Sequence, residues 1–267
     1  MLAFVEMGSL DSPETPSPQL RIGRILFALA ILASGTLQLV TGRFVSLVPV
    51  HPGRLPPPWQ PYLFGVVLVV IAVAFLVRRA TAIAAIALAA ILLTLFFGFG
   101  LPVALAHAST GFVWVDPLMT WALLGGACLA AAPRQGLPAG ALDRFFEKAA
   151  RFAPFALGAF LAYSGMAHFP YAQGVAGMIP PWIPAHLFWT YFAGIALIAG
   201  GIGVVVPRTA RLAATLSGIM LFSWVFLVHI PLAIQTRSVG ETARIFEALG
   251  DSAVAFLVAG TSRVPRS

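Results

Sequence analysis

The chain is a succession of long apolar runs, parted by short segments that hold most of its prolines and arginines. A helix needs about 20 mainly apolar residues to cross the hydrocarbon of a bilayer. Eight windows reach or approach that length: Ile25–Thr41, Trp59–Val77, Ala82–Leu101, Val115–Ala132, Phe152–Phe169, Ala185–Val206, Leu212–Ile230 and Ile245–Thr261. The runs are continuous and rich in Ala and Leu, unlike the short alternating strands of a membrane barrel. Only 9% of the 267 residues are charged, against about 25% in a soluble domain. So few charges cannot coat a water-soluble globule, which excludes an ordinary cytosolic enzyme or a secreted domain. The expected class is all-α: a polytopic membrane protein of eight transmembrane helices, with the lipid bilayer as its surroundings.

The lone cysteine, Cys128, lies inside an apolar run. It can form no internal disulfide, CxxC redox pair or thiolate metal cage. The net charge of +7 is not read as a nucleic-acid footprint, because the basic residues sit in loops between apolar runs, as topology signals do. Counted loop by loop, one side holds Arg21, Arg24, Arg78, Arg79, Arg134, Arg144, Lys148, Arg151, Arg208, Arg211, Arg263 and Arg266; the other holds Arg43, Arg54, Arg237 and Arg244. The positive-inside rule then places both termini in the cytoplasm, as in a bacterial inner (plasma) membrane.

Residues 1–20, with Glu6, Asp11 and Glu14, read as a disordered cytoplasmic leader. A cleavable signal peptide is the rival reading, but the apolar run continues through Val40, long enough to span. Residues 137–151 read as an amphipathic linker helix at the interface, with Leu142, Phe145, Phe146 and Ala149 between Asp143, Arg144, Glu147 and Lys148. Ser238-Val239-Gly240-Glu241 has the spacing of a capping box.

The chain also repeats itself. Ser34-Gly35 matches Ser164-Gly165 at an offset of 130, and Tyr62-Leu63-Phe64-Gly65 resembles Tyr191-Phe192-Ala193-Gly194 at 129. Arg79 matches Arg208 and Pro102 matches Pro231, both at 129. Four spans per unit is an even number, so both units enter from the same side. This predicts two parallel-repeat four-helix bundles, residues 21–136 and 152–267, packed side by side.

The second unit carries the stretch from Arg151 to Gly158, then Ser164-Gly165-Met166-Ala167-His168-Phe169 and Ile179-Pro180-Pro181-Trp182-Ile183-Pro184. Tyr191 to Gly201, Arg208, Arg211-Leu212-Ala213-Ala214 and His229-Ile230-Pro231 follow. On these residues the unit resembles the DoxX family of small four-span membrane proteins. In the first unit Gln38 stands where His168 would, and Gly100 where His229 would. The resemblance implies a tandem DoxX-like fold. Some members of the family resemble a quinone-linked, thiosulfate-oxidising subunit, and most have no assigned activity.

An ionisable group near the bilayer centre costs about 2.5–3.5 kcal/mol on insertion scales, so such groups are functional candidates. His168 and His229 fall near the outer ends of their windows; Glu247 and Asp251 share one face of the last, about 6 Å apart in height. The four are expected at similar depth in the outer leaflet, as the lining of a polar pocket. Proline two residues beyond each histidine is expected to end its helix. The plainer reading of each histidine is therefore a helix-end cap; axial haem ligation is a third. Asp116 reads as a charge favoured by a helix N-terminus, and His51, His107 and His186 as exposed. Glycines such as Gly194, Gly200, Gly201 and Gly203 read as close helix contacts. No catalytic residue or metal site is expected, and the cofactor is left open. The leading reading is a DoxX-type membrane protein with an outward-facing pocket and no assignable reaction. The alternatives are a membrane subunit handing electrons to quinone, which needs a redox partner protein because the chain has no flavin or iron–sulfur motif, and a small-solute or proton carrier.

Overall fold

The computed structural model describes residues 17–44, 57–77, 79–109, 112–131 and 140–262, apart from the side chains of 142 and 143. All regular structure within them is helical. Helix α1 spans Pro18–Thr41, α2 Gln60–Leu76 and α3 Thr81–Leu95. A π-helical turn, Phe96–Gly100, joins α3 to α4 (Leu101–Ala106), and α5 follows at Val115–Ala131. Then come α6 (Ala141–Ala150), α7 (Ala153–Ala167), α8 (Ala172–Met178), α9 (His186–Val205) and α10 (Ala210–Trp224). A second π turn, Val225–His229, leads into α11 (Ile230–Thr236), and α12 is Val239–Thr261.

Pro18–Thr41, Thr81–Ala106, His186–Val205 and Ala210–Thr236 are long and apolar enough to cross a membrane. Arg144–Ala167 with Ala172–Met178 makes a fifth if that pair, bent by 100°, is one span. Helices α2 and α5 are apolar but shorter. The outer faces are apolar as well: Leu63, Val66, Val70 and Val73 of α2 and Phe188, Phe192, Ile195 and Ile202 of α9 are exposed. A soluble monomer rarely leaves contiguous surface of this kind uncovered; acyl chains match it.

Several helix ends differ from the sequence expectation. The described part of the leader is already structured: Ser17 caps α1, its Oγ accepting from the Leu20 N–H at 3.3 Å and donating to the Gly260 carbonyl at 3.0 Å. The rest of the leader, residues 1–16, and the start of the linker, 137–139, lie outside the described residues, as does His51. The linker is seen as α6, with Phe146 buried and Phe145 exposed. The Ser238 side chain makes no cap bond to its helix; Glu241 pairs with Arg244 at 3.0 Å instead, so the capping box does not form. Pro231 does not end its helix. Proline has no N–H and its ring crowds the carbonyl four residues back. The π turn relieves this by widening the helix just before it: the Ile230 N–H donates to Val225 O, five residues back, and the helix runs on to Thr236. Pro102 is accommodated in the same way, with Leu101 N–H bonded to Phe96 O.

Helices α5 and α12 pack against each other at the centre, and their inner stretches, Gly125–Ala131 and Gly250–Ala259, are buried on every side. Around them α1 lies along α12 and α2, and α3 lies between α2 and α5. Helix α7 lies along α5 and α9, and α10 between α9 and α12. The first helix of each half thus packs on the last helix of the other half as well as on a helix of its own: α1 more on α12 than on α2, and α7 more on α9 than on α5. Small residues permit the closest approaches: Gly35 and Gly65 face each other where α1 crosses α2, and Gly165 and Gly194 do so where α7 crosses α9. Gly42 closes α1 in the left-handed region, at φ 62°. A Cβ there would lie 2.5 Å from the Tyr62 hydroxyl. Gly42→Ala is expected to lower unfolding stability by about 1 kcal/mol or more, read from thermal unfolding in detergent.

Candidate functional site

Five charged or titratable side chains gather where α5 and α12 begin. Asp116 sits in the first turn of α5. His229 is the last residue of the second π turn. Arg244, Glu247 and Asp251 descend one side of α12. Arg244 is close enough for its charge to act on both Asp116 and His229, and the carboxylates of Glu247 and Asp116 both act on Asp251. Burial grades inwards. Asp116 and Arg244 are exposed, His229 and Glu247 half-buried, and Asp251 is only 6% exposed. Asp251 Oδ1 and His229 Nδ1 are buried and have no hydrogen-bond partner. In a native structure each such atom calls for an explanation, because it forfeits its hydration without compensation.

The start of the last helix departs from the sequence expectation. Helix α12 starts at Val239, six residues before the apolar window, and is 23 residues long. Asp251 is its thirteenth residue, at the middle of a helix about 34 Å long. Of the four expected site residues, Glu247 stands one turn nearer the start of this helix than Asp251.

Three of them, His229, Glu247 and Asp251, belong to the gathering just described. His168 behaves differently. Its Nδ1–H donates to the Ser164 carbonyl at 2.7 Å, which caps the end of α7, and its ring lies 6.4 Å from that of Trp224. This is the helix-end role, and it comes about because α7 stops at Ala167, ahead of Pro170. Gln38, 130 residues earlier in the chain, donates to the Pro61 carbonyl at 3.2 Å and ties α1 to α2. His107 is exposed and His186 half-buried.

Sequence reasoning passed over two members of the gathering, Asp116 and Arg244. Arg244 had been counted as a loop charge; the helix start at Ser238 puts it one turn above Glu247 on the same side. Asp116 was explained by its own helix dipole alone. The 129-residue offset carries it onto Ile245, next to Arg244, and that was the signal available.

Beside Glu247, the junction of α1, α3, α5 and α12 leaves a cavity of about 30 Å³. Its wall is mostly apolar, with Phe27, Ile31, Leu92 and Leu123; Ser34 and Glu247 supply the polar side chains, and Gly250 leaves the room. Among the described residues, no group of three or more His, Cys, Asp or Glu side chains is placed to hold a metal ion.

Residues 157–259, which run from α7 to α12, match the model of a family described as a domain of unknown function (DUF8561). No curated protein and no solved structure matches the chain.

Proposed function

We propose that the chain is a DoxX-type integral membrane protein with eight spans, formed by tandem duplication and interlaced by exchange of neighbours between its halves. Both termini face the cytoplasm, as in a bacterial inner membrane. Its site is a polar pocket that opens outward and takes a small ligand at His229, Glu247 and Asp251, with Asp116 and Arg244 at the mouth. The duplication is supported by the helices themselves: α3, the π turn and the start of α4 recur as α10, the second π turn and the start of α11, each displaced by 129 residues. Orientation is supported by the distribution of Arg and Lys.

One observation carries the pocket reading. A buried carboxylate with an unpartnered oxygen stands at the inner end of a graded set of charges drawn from three elements. Perturbed, converging groups of this kind are the usual mark of a working site. The carrier reading gains from the same residue, because Asp251 lies at mid-helix, where a translocating site would stand.

Cysteine labelling tests the pocket. Cys128 is buried and is first removed as Cys128→Ala. In that background Glu247→Cys and Ser238→Cys are expected to react with a hydrophilic maleimide added outside intact cells. Arg144→Cys should react only in inside-out vesicles. A thiol at position 247 that reacts from the cytoplasmic side, or from neither, overturns the outward-opening pocket.

A further inference from the structure

We propose that the uncovered side of α6 and the start of α7 binds one anionic phospholipid, its phosphate held by Lys148 and Arg151 and its acyl chains lying on Phe152 and Phe155. The inference rests on the membrane-spanning reading of the chain and is independent of the pocket. Helix α6 passes into α7 through turn bonds: the Arg151 N–H donates to the Lys148 carbonyl at 3.2 Å, and the Phe152 N–H to the Ala149 carbonyl at 3.1 Å. One side of this length is built into the protein. Phe146, Ala150, Ala153 and Leu157 are buried, and Ala153 Cα would stand 2.9 Å from a Cβ built on Gly125 of α5.

The other side is bare. Lys148, Arg151, Phe152 and Phe155 are all exposed, Phe152 at 72%. Residues three, four and seven apart share a helix face, so these four form one stripe. The stripe is ordered along its length, with cations first and rings after. Phe155 lies seven residues beyond Lys148, about 10 Å along the helix. A headgroup layer is about 5–8 Å thick. Cations at phosphate depth are therefore followed by rings at the depth of acyl carbons.

The charges fit an anion. Lys148 and Arg151 take part in no ion pair among the described residues. Arg144, exposed one turn further out, adds a third cation, against one acid among the described side chains of α6, Glu147. Lysine and arginine stems cover apolar surface while their heads reach phosphate oxygens, and Arg can do so through two hydrogen bonds. The rings accept the chains of any phospholipid; the cations select an anionic headgroup.

Native mass spectrometry of the full chain in detergent tests this, by titration with dioleoyl phosphatidylglycerol or dioleoyl phosphatidylcholine. The wild type is expected to hold phosphatidylglycerol about tenfold tighter or more. A cation near a bilayer surface contributes about fivefold in affinity. Lys148→Gln and Arg151→Gln should each weaken phosphatidylglycerol binding by about that factor and leave phosphatidylcholine unchanged, while Lys148→Arg keeps the wild-type affinity. Phe152→Ala with Phe155→Ala should weaken both lipids alike. Arg237→Gln, which removes the same charge beyond α11, should change neither.

Four results overturn the proposal. The first is a variant with both Lys148→Gln and Arg151→Gln that still prefers phosphatidylglycerol. The second is an Arg237→Gln effect as large as that of Lys148→Gln, which would mean net charge alone. The third is wild-type binding of both lipids by the paired phenylalanine variant, as a surface for an acidic protein would show. The fourth is displacement of phosphatidylglycerol by an equal concentration of glycerol 3-phosphate, the mark of a free-phosphate site. Alkaline carbonate washing separates this inference from the reading beneath it. A chain washed off membranes refutes the membrane-spanning reading, whereas a chain that stays and does not discriminate the two lipids refutes the lipid site alone.

Discussion

Asp251→Leu is expected to make the protein more stable, by about 1–4 kcal/mol. Leucine repeats the branching of aspartate, with methyl groups in place of the carboxylate oxygens, so the swap changes polarity far more than shape. The wild-type side chain is 6% exposed, has one oxygen without a hydrogen-bond partner and stands near two further carboxylates. Each feature costs folding free energy, and leucine removes all of them at once. The corresponding residue of the other half, Ala122, is fully buried and apolar, so the fold itself does not require an acid there. Reversible unfolding in mixed detergent micelles measures the change. A loss of stability instead would mean that the carboxylate is structural, and the functional reading of Asp251 would fall.

Gly165→Ala is expected to do the opposite, with a loss of about 3 kcal/mol. A Cβ on Gly165 would lie 2.6 Å from the Gly194 carbonyl oxygen and 2.9 Å from atoms of Ile198. Backbone stands in the way, and no rotamer change moves it, so α7 and α9 have to part. Without water between helices in lipid, close packing is a principal source of cohesion, and a gap there forfeits dispersion along both helices. Gly174 and Gly177, in α8, have nothing within 4 Å of an added Cβ. Gly174→Ala and Gly177→Ala should therefore leave stability unchanged or slightly raised. The same unfolding assay reads all three. If Gly165→Ala unfolds like the wild type, the close crossing of α7 and α9 is wrong.

Much of the site was legible as residue type but not as geometry. Glu247 and Asp251 stand out in any reading of an apolar chain, since a carboxyl in such a run is costly and rare. The start of their helix was placed too late because hydropathy marks where lipid-like sequence begins, not where a helix begins. The polar turn from Val239 to Arg244 is helix too. His168 and His229 share an H-x-P context and looked equivalent. They diverge because Pro170 follows the end of a helix, whereas a π turn absorbs Pro231. That choice depends on how the whole segment packs, and a tripeptide carries no sign of it.

The linear chain by itself determined the all-helical class and the approximate extent of the long apolar helices. These follow from hydropathy, proline and charge, which act over a few residues and are written locally. Only the tertiary structure decided that α1 leans on α12 and α7 on α5, that Asp116 and Arg244 join His229 and Asp251, and that a cavity opens beside Gly250. Contacts between helices distant in sequence depend on the shapes of surfaces that exist only once the helices have formed and met. Composition and periodicity report which faces are greasy, and in a chain that is greasy on nearly every face they do not select one neighbour over another.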